Sequence, residues 1–366
     1  MIIWIILSVI AIIAIAIVVF INQSPFGSNP KGERLERVKS SPNYKDGSFQ
    51  NLHPTKQITS EGGYLSTMAD FLFSKKERLE PETALPVMRT DLWKISREED
   101  ILVWFGHSSY LFQTDGFRIL VDPVFFDASP VPFYNKPFKG TNVFKPEDIP
   151  DIDYLIISHD HWDHLDYKTV TALKERVGKV ICGLGVGQHF ERWGFDQSVI
   201  VEMDWNENRI FDNGVTIYCL PARHFSGRKG FSNQSLWASY LIETPQHKVY
   251  IGGDSGYDTH YADIGKQFGE IDLAIMENGQ YNEDWGQIHM LPEYIVKAFR
   301  ELNAKRLFTV HHSKYVLARH PWDEPLKNIV SFAEKESINL LLPMIGEQVN
   351  LNDTLYTVNK WWEGIK

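Results

Sequence analysis

The 366 residues are 43% hydrophobic and 13% aromatic, enough to bury a large core, which excludes disordered, collagen-like and low-complexity classes. Acidic side chains outnumber basic ones by 47 to 37, a formal net charge of −10 that argues against a nucleic-acid-binding surface. Cys182 and Cys219 are the only cysteines; they cannot form a disulfide framework, and both sit in apolar strand-like runs that read as burying reduced thiols.

The chain opens on IIWIILSVIAIIAIAIVVFI, residues 2–21, with no charge and a single hydroxyl. At 1.5 Å per residue this run makes about 30 Å of helix, the thickness of a bilayer's hydrocarbon core. It is longer than the apolar part of a signal peptide and has no basic side chain before it, so residues 1–21 read as a retained transmembrane anchor. Lys31, Arg34, Arg37 and Lys39 follow the span, and such flanking cations stay cytoplasmic. The expected topology is therefore single-pass, with the C-terminal body on the cytoplasmic side. The same cations stand either as contacts to anionic headgroups or as a solvated charge run.

Residues 22–63, rich in Ser, Asn, Pro, Gly and Lys, read as a linker without a core of its own. Residues 64–98 combine a helical stretch with a Pro-containing extended one and read as an arm packed on the main domain, which spans 99–350 and leaves 351–366 as a C-terminal tail. Within the main domain, ILVWF, SYLFQT, FRILVDPVF, YLIISHD, VGKVICG, SVIVEM, VTIYCLPA, SLWASYLIET, KVYIGGD, LAIMENG, RLFTVHH and INLLLPMIG are apolar runs of strand length. YKTVTALKERV, GQHFERWG and LPEYIVKAFRELN carry helical patterns between them. The alternation implies an α/β fold of two sheets with helices outside. Gly183, Gly185 and Gly187 fail the G-x-G-x-x-G dinucleotide fingerprint, because position 188 is Gln; a strand-to-helix turn accounts for them. Trp361 and Trp362 read as core packing or an interfacial anchor.

The densest chemistry is His159-Asp160-His161-Trp162-Asp163-His164, directly after the apolar run YLIIS. Neutral imidazole suits zinc and similar borderline metals, and carboxylate adds a harder oxygen donor. His159 and His161 can reach one ion, while Asp163 and His164 can face a second. A surface loop decorated by chance does not concentrate donors in this way.

This H-x-H-x-D-H pattern resembles the metallo-β-lactamase superfamily, and the resemblance continues in order along the chain: PARH after VTIYCL supplies His224, KVYIGGD supplies Asp254, and RLFTVHH supplies His311 beside His312. It implies an αββα sandwich of two mixed sheets with outer helices. It also implies two Zn2+ per chain, with His159, His161 and His224 on the first, Asp163, His164 and His311 on the second, and Asp254 bridging. His311 is preferred to His312 because it directly follows the apolar run. The flanking segments VWFGHSSYLFQTDGFRILVDPVF, GLGVGQHFERWG, PARHFSGRKGFSNQSLWASYLIE, GGDSGYDTHYADIG and QIHMLPEYIVKAF are similar to the N-acyl-phosphatidylethanolamine-hydrolysing phospholipase D group and its bacterial relatives, over about residues 65–345.

That group implies a membrane-anchored dinuclear zinc phosphodiesterase, releasing N-acylethanolamine and phosphatidic acid by a metal-bound hydroxide. Asp163 and Asp254 then serve catalysis as well as metal binding, with Asp254 orienting the hydroxide. His289 in GQIHMLPE is a candidate substrate-oxygen contact, its alternative being a helix-terminal surface histidine. His107 in GHSS is either a turn residue or a hydrogen-bond partner that orients a ligand histidine. The expected partners are a phospholipid or other phosphodiester and the membrane, with no nucleic acid. A zinc-dependent lactonase or other small-molecule hydrolase on the same fold is the alternative, and a non-catalytic anchored scaffold stands behind it. One departure is His312-Ser313-Lys314-Tyr315 after the last ligand, where the group usually has Trp-Gly; it bears on lipid specificity, not on metal binding.

Overall fold

The computed structural model describes residues 2–73, 77–131, 134–211, 214–229, 232–353 and 356–366; parts of the arm (74–76) and tail (354–355) lie outside them. The N-terminal run forms helix α1 (Ile2–Ile21), with a mean hydropathy of 3.4 in its best window and no residue buried. By length and composition it is a candidate membrane span. Then follow α2 (Gly32–Ser40), a hairpin of β1 (Tyr44–Lys45) and β2 (Ser48–Phe49), and α3 (Gly63–Phe73).

The body contains, in order, β3 (Ile101–Trp104), β4 (Tyr110–Thr114), β5 (Phe117–Val121), β6 (Ile152–Ile157), α4 (Tyr167–Leu173), β7 (Val177–Gly183), α5 (Gly187–Arg192) and β8 (Ile200–Met203). The second half adds β9 (Asn208–Ile210), β10 (Thr216–Leu220), β11 (Ser239–Glu243), β12 (Lys248–Ile251), α6 (His260–Phe268), β13 (Leu273–Glu277), α7 (Pro292–Glu301), β14 (Arg306–Val310), α8 (Glu324–Glu336), β15 (Asn339–Leu341) and β16 (Gln348–Asn350). These strands make two seven-stranded sheets, ordered β16-β3-β4-β5-β6-β7-β8 and β15-β14-β13-β12-β11-β10-β9. Each is mixed: β5 to β8 and β12 to β15 run parallel, and the remaining neighbours run antiparallel.

Period-two alternation sorts the side chains. Tyr110 and Phe112 of β4 join Cys219, Tyr240, Ile275 and Phe308 in the core between the sheets. Leu111 joins Leu155, Val180, Val170, Leu173 and Phe190 in a second core beneath α4 and α5. Cys182 and Cys219 are fully buried and free; burial raises both thiol pKa values well above the usual range. The run after β7 is the tight turn expected: Gly185 has φ +89, and a Cβ on Gly183 would lie 2.3 Å from the Leu236 carbonyl oxygen. In the tail, Trp361 and Trp362 pack into the main core.

Residues 22–63 are not a free linker. Val38 and Phe49 are buried in the main core. Arg34 pairs with Glu202 at 2.5 Å and also with Glu191, and Arg37 pairs with Glu207 at 3.0 Å. The tether reading fails because a few apolar side chains spaced among polar ones suffice to seat a segment when an existing domain supplies the opposite face. Arg34, buried against Glu202, is thus not part of the solvated charge run considered for it, whereas the Arg37–Glu207 pair stays exposed.

Candidate metal centre

In both sheets the parallel strands deliver their carboxyl ends to one rim, where open α/β sheets place their ligand sites. The loop after β6 carries residues 158–164, Asp122 follows β5, His224 follows β10, Asp254 follows β12, Glu277 ends β13, and His311 follows β14. Pairing of Val121 with Ile156 sets Asp122 beside this loop, and pairing of Glu277 with Val310 sets Glu277 level with the turn that carries His311.

Donor atoms of His159, His161 and His224 gather at one point. His161 Nδ1 lies 2.8 Å from His159 Nε2 and 3.2 Å from His224 Nε2. His224 Nδ1–H donates to the Ile288 carbonyl at 2.7 Å, which leaves Nε2 as the lone-pair atom turned inward. Burial, reinforced by the neighbouring imidazoles, lowers the pKa values of His159 and His224 well below the usual histidine range, so both rings are neutral, the state a cation requires.

Beside this trio, His164 Nε2 lies 3.2 Å from Asp254 Oδ2 and 3.4 Å from Asp163 Oδ2, and His311 Nδ1 lies 3.0 Å from Asp254 Oδ1. Asp254 Oδ2 is also 3.8 Å from His159 and 3.7 Å from His224, so one carboxylate faces both donor sets. Burial opposes ionisation of Asp163 and Asp254, yet His164 holds both carboxyls well below the usual range. Burial alone would lower the His164 pKa, but Asp254, Asp163 and Asp122 raise it well above the ordinary value. The field at this point favours positive charge, which a divalent cation satisfies as a proton does. His164 Nε2, buried, makes no hydrogen bond of normal geometry among the described residues. A cation between the two carboxylates and this nitrogen fits the orphaned atom and the donor chemistry.

His312 is placed elsewhere: its nitrogens meet Ser313 Oγ at 2.8 Å and the Thr309 carbonyl at 3.2 Å, and its ring packs on Trp104. Of the two roles expected of His107 the structure shows the turn, at φ 52°. The His107 Nε2–H donates to Asp163 Oδ2 at 2.9 Å, so it orients an aspartate and no ligand histidine, while its ring lies 4.2 Å from that of His311. Burial lowers its pKa to about 3. His289 Nδ1 meets Glu277 Oε2 at 2.8 Å and its ring stands 5.0 Å from that of His224. Burial opposes its protonation, but Glu277 raises the pKa to about 9.

Two carboxylates that shape the site have no counterpart among the residues singled out in the sequence. Asp122 accepts from Ser158 N, Ser158 Oγ and His164 Nδ1, at 2.8, 2.6 and 2.8 Å, aiming His164 Nε2 at the centre. Glu277 accepts from Ser255 N at 2.7 Å and Met290 N at 2.9 Å while holding His289. The readable signal was an acid directly after or ending an apolar strand, ILVD and AIME, matching the placement of Asp254.

Above the centre lies a pocket of about 300 Å³ walled by Ile58, Tyr64, Phe225, Trp285, Ile288 and Leu317 and floored by Asp254, His289 and His311.

Residues 117–312 match the sequence profile of the beta-lactamase superfamily domain. With the strand-end histidine and aspartate sets just described, the chain belongs to the metallo-β-lactamase superfamily and is a metal-dependent hydrolase of that fold. An uncharacterised protein of Mycobacterium tuberculosis is 36% identical over 329 residues, 88% of each chain. The N-acyl-phosphatidylethanolamine-hydrolyzing phospholipase D 1 of Caenorhabditis elegans is 31% identical over 231 residues, 58% of this chain and 63% of that one. The isothiocyanate hydrolase from Delia radicum gut bacteria shares the fold at 18% identity and a TM-score of 0.55, over 68% of this chain and 98% of that one.

Proposed function

We propose that the chain is a membrane-anchored, dinuclear zinc phosphodiesterase that hydrolyses N-acyl-phosphatidylethanolamine-type phospholipids to phosphatidic acid and an N-acylethanolamine. The observation that carries this reading is the pairing of two donor sets on Asp254 with an apolar pocket directly above them. Among the described lining residues there is no Lys or Arg, so the phosphate charge has to be met at the floor. The aromatic and aliphatic wall suits a neutral N-acylated headgroup better than a charged amine. The N-acyl-phosphatidylethanolamine-hydrolysing relative gives independent support.

His159, His161 and His224 hold the first zinc, and Asp163, His164 and His311 the second, with Asp254 shared. Bound there, two cations supply Lewis acidity, acidifying a water and taking up charge that builds on the phosphate. Asp254, fixed between four imidazoles, orients the attacking water, and Asp163 is held in register by His107. His289, braced by Glu277, presents its other nitrogen to a phosphate oxygen or to the departing alkoxide. Ile58, before the arm, and Tyr64, at its start, confine the acyl side of the substrate and exclude bulk water. We place the body on the cytoplasmic side, on the strength of Lys31, Arg34, Arg37 and Lys39 following the span.

A mass-spectrometric product screen tests the reaction, with zinc-loaded protein offered N-acyl-phosphatidylethanolamine, phosphatidylethanolamine, an acyl-homoserine lactone and a generic phosphodiester, and His161→Ala as control. Phosphatidic acid with N-acylethanolamine from the wild type alone is the expected result. Lactone opening without lipid cleavage would transfer the function to a lactonase.

A further inference from the structure

The segment leaving α1 is bolted to the back of the metal-binding loop. Arg192 donates to the Asn22 carbonyl at 2.6 Å, and the Trp193 indole N–H donates to the Ser24 carbonyl at 2.8 Å. The buried Arg228 guanidinium holds the Pro25 carbonyl through Nε and Nη2, at 3.1 and 2.9 Å, and with Nη1 grips the carbonyls of Asp160 and Leu165, at 2.9 and 2.6 Å. It lies 3.8 Å over the Trp162 ring, which Phe26 meets edge-on at 5.0 Å. Trp162 and Asp160 alternate with His161 and His159 along the loop.

A second link runs through His189. The Ser28 backbone N–H donates to its Nδ1 at 3.0 Å, which fixes the proton on Nε2, and Nε2–H donates to Asp160 Oδ2 at 3.0 Å. Gly227 N and Ser235 Oγ donate to the same carboxylate at 2.7 and 2.8 Å. Asp160 points away from the centre and ligates nothing there; its work is to hold the backbone between two ligands. Arg228 and His189 each have one side on the loop and the other on the segment that emerges from the apolar helix.

We infer that residues 22–31 are a structural part of the first metal site, with Arg228 and His189 as positioning residues that transmit the seating of the anchor segment to His159 and His161. The inference rests on the metal-centre reading. It bears chiefly on the first site: on the loop His189 holds Asp160, between His159 and His161, and although Arg228 also grips the Leu165 carbonyl beside His164, the His164 ring itself is aimed by Asp122 and Ser158 at the ends of β5 and β6. Supporting hydrogen bonds behind metal ligands are worth about 10–100-fold in affinity.

Gly27 within this segment and Gly32 directly after it make the test clean. Gly27 and Gly32 both have positive φ, 61° and 58°, but a Cβ on Gly27 would lie 1.9 Å from His189 Nδ1, whereas one on Gly32 meets nothing within 4 Å. Full-length protein in detergent, stripped of metal, is titrated with Co2+ while the visible ligand-field bands are recorded. Gly27→Ala is expected to weaken the first site about 10–100-fold and to change its band shape, with the second site held within about twofold of wild type. Gly32→Ala also places an alanine at positive φ, without the collision, and is expected to match wild type at both sites. Arg228→Lys, which keeps the charge but loses the fork, is expected to reproduce the first-site loss and decides the matter if Gly27→Ala does not fold. Wild-type affinity and spectrum in Gly27→Ala, or in Arg228→Lys where it stands in, overturn the inference while leaving the metal centre intact. A wild-type chain that binds no cobalt overturns the metal-centre reading itself.

Discussion

Asp122→Asn probes the centre through a residue that touches no proposed metal. The wild-type carboxylate is acceptor-only, with Oδ1 taking the Ser158 N–H and Oδ2 taking Ser158 Oγ and His164 Nδ1. Burial raises its pKa, and the contacts to His164 and Ser158 work against that rise. Asparagine keeps the shape but must place an NH2 at one of the two positions. At Oδ1 it meets the Ser158 N–H donor to donor, a buried mismatch worth about 1–3 kcal/mol. At Oδ2 it donates to His164 Nδ1, which drives the ring proton onto Nε2, the atom aimed between Asp163 and Asp254. Either way the second site loses affinity by about 10–100-fold, roughly 1.4–2.7 kcal/mol. Competition against a chromophoric chelator resolves the two ions, and the second is expected to leave at lower chelator concentration while the first is retained. Two ions held as tightly as in wild type, in a protein with native near-ultraviolet circular dichroism, would refute the tautomer argument.

Other consequences are as direct. Asp163→Ala or His164→Ala is expected to abolish turnover and remove the second ion with the fold largely intact; full activity in either variant excludes a two-ion mechanism. Phe49→Ala, in the segment that reads as a linker but buries this ring completely, is expected to cost about 3–5 kcal/mol in denaturant unfolding, whereas a true tether residue would cost almost nothing. Lys314 is buried with its ammonium on the carbonyls of Phe105 and Val124, and burial lowers its pKa to about 7. The unfolded chain therefore binds the extra proton between about pH 7 and 10, and stability rises with pH across that window by up to about 1.4 kcal/mol per unit. Comparing melting of wild type and Lys314→Met at pH 7.5 and 9.5, the wild type should gain on the variant at the higher pH, and an unchanged gap would show that Lys314 stays charged.

The candidate donors were legible because they follow apolar strands, four of them within the contiguous residues 159–164 after one strand and the others singly after their own. The resemblance to a known superfamily then supplied the order. What the sequence could not show acts at a distance. Asp122 reaches His164 across 42 positions and Arg34 reaches Glu202 across 168, and no local period encodes such pairs. The segment 22–63 misled for a related reason: Phe26, Val38 and Phe49 are too sparse to signal a core alone, yet each fills a surface that the body provides. His107 was recognised as either a turn residue or an orienting one, but its partner, Asp163, depends on a positive-φ turn, at 52°, that sets its ring against His311.

Metal content of the full chain after zinc loading and gel filtration tests the two-cation centre most directly. Two zinc ions per chain in wild type, falling to one in His164→Ala, is the predicted result. One ion or fewer in the wild type would contradict a centre built on two donor sets sharing Asp254.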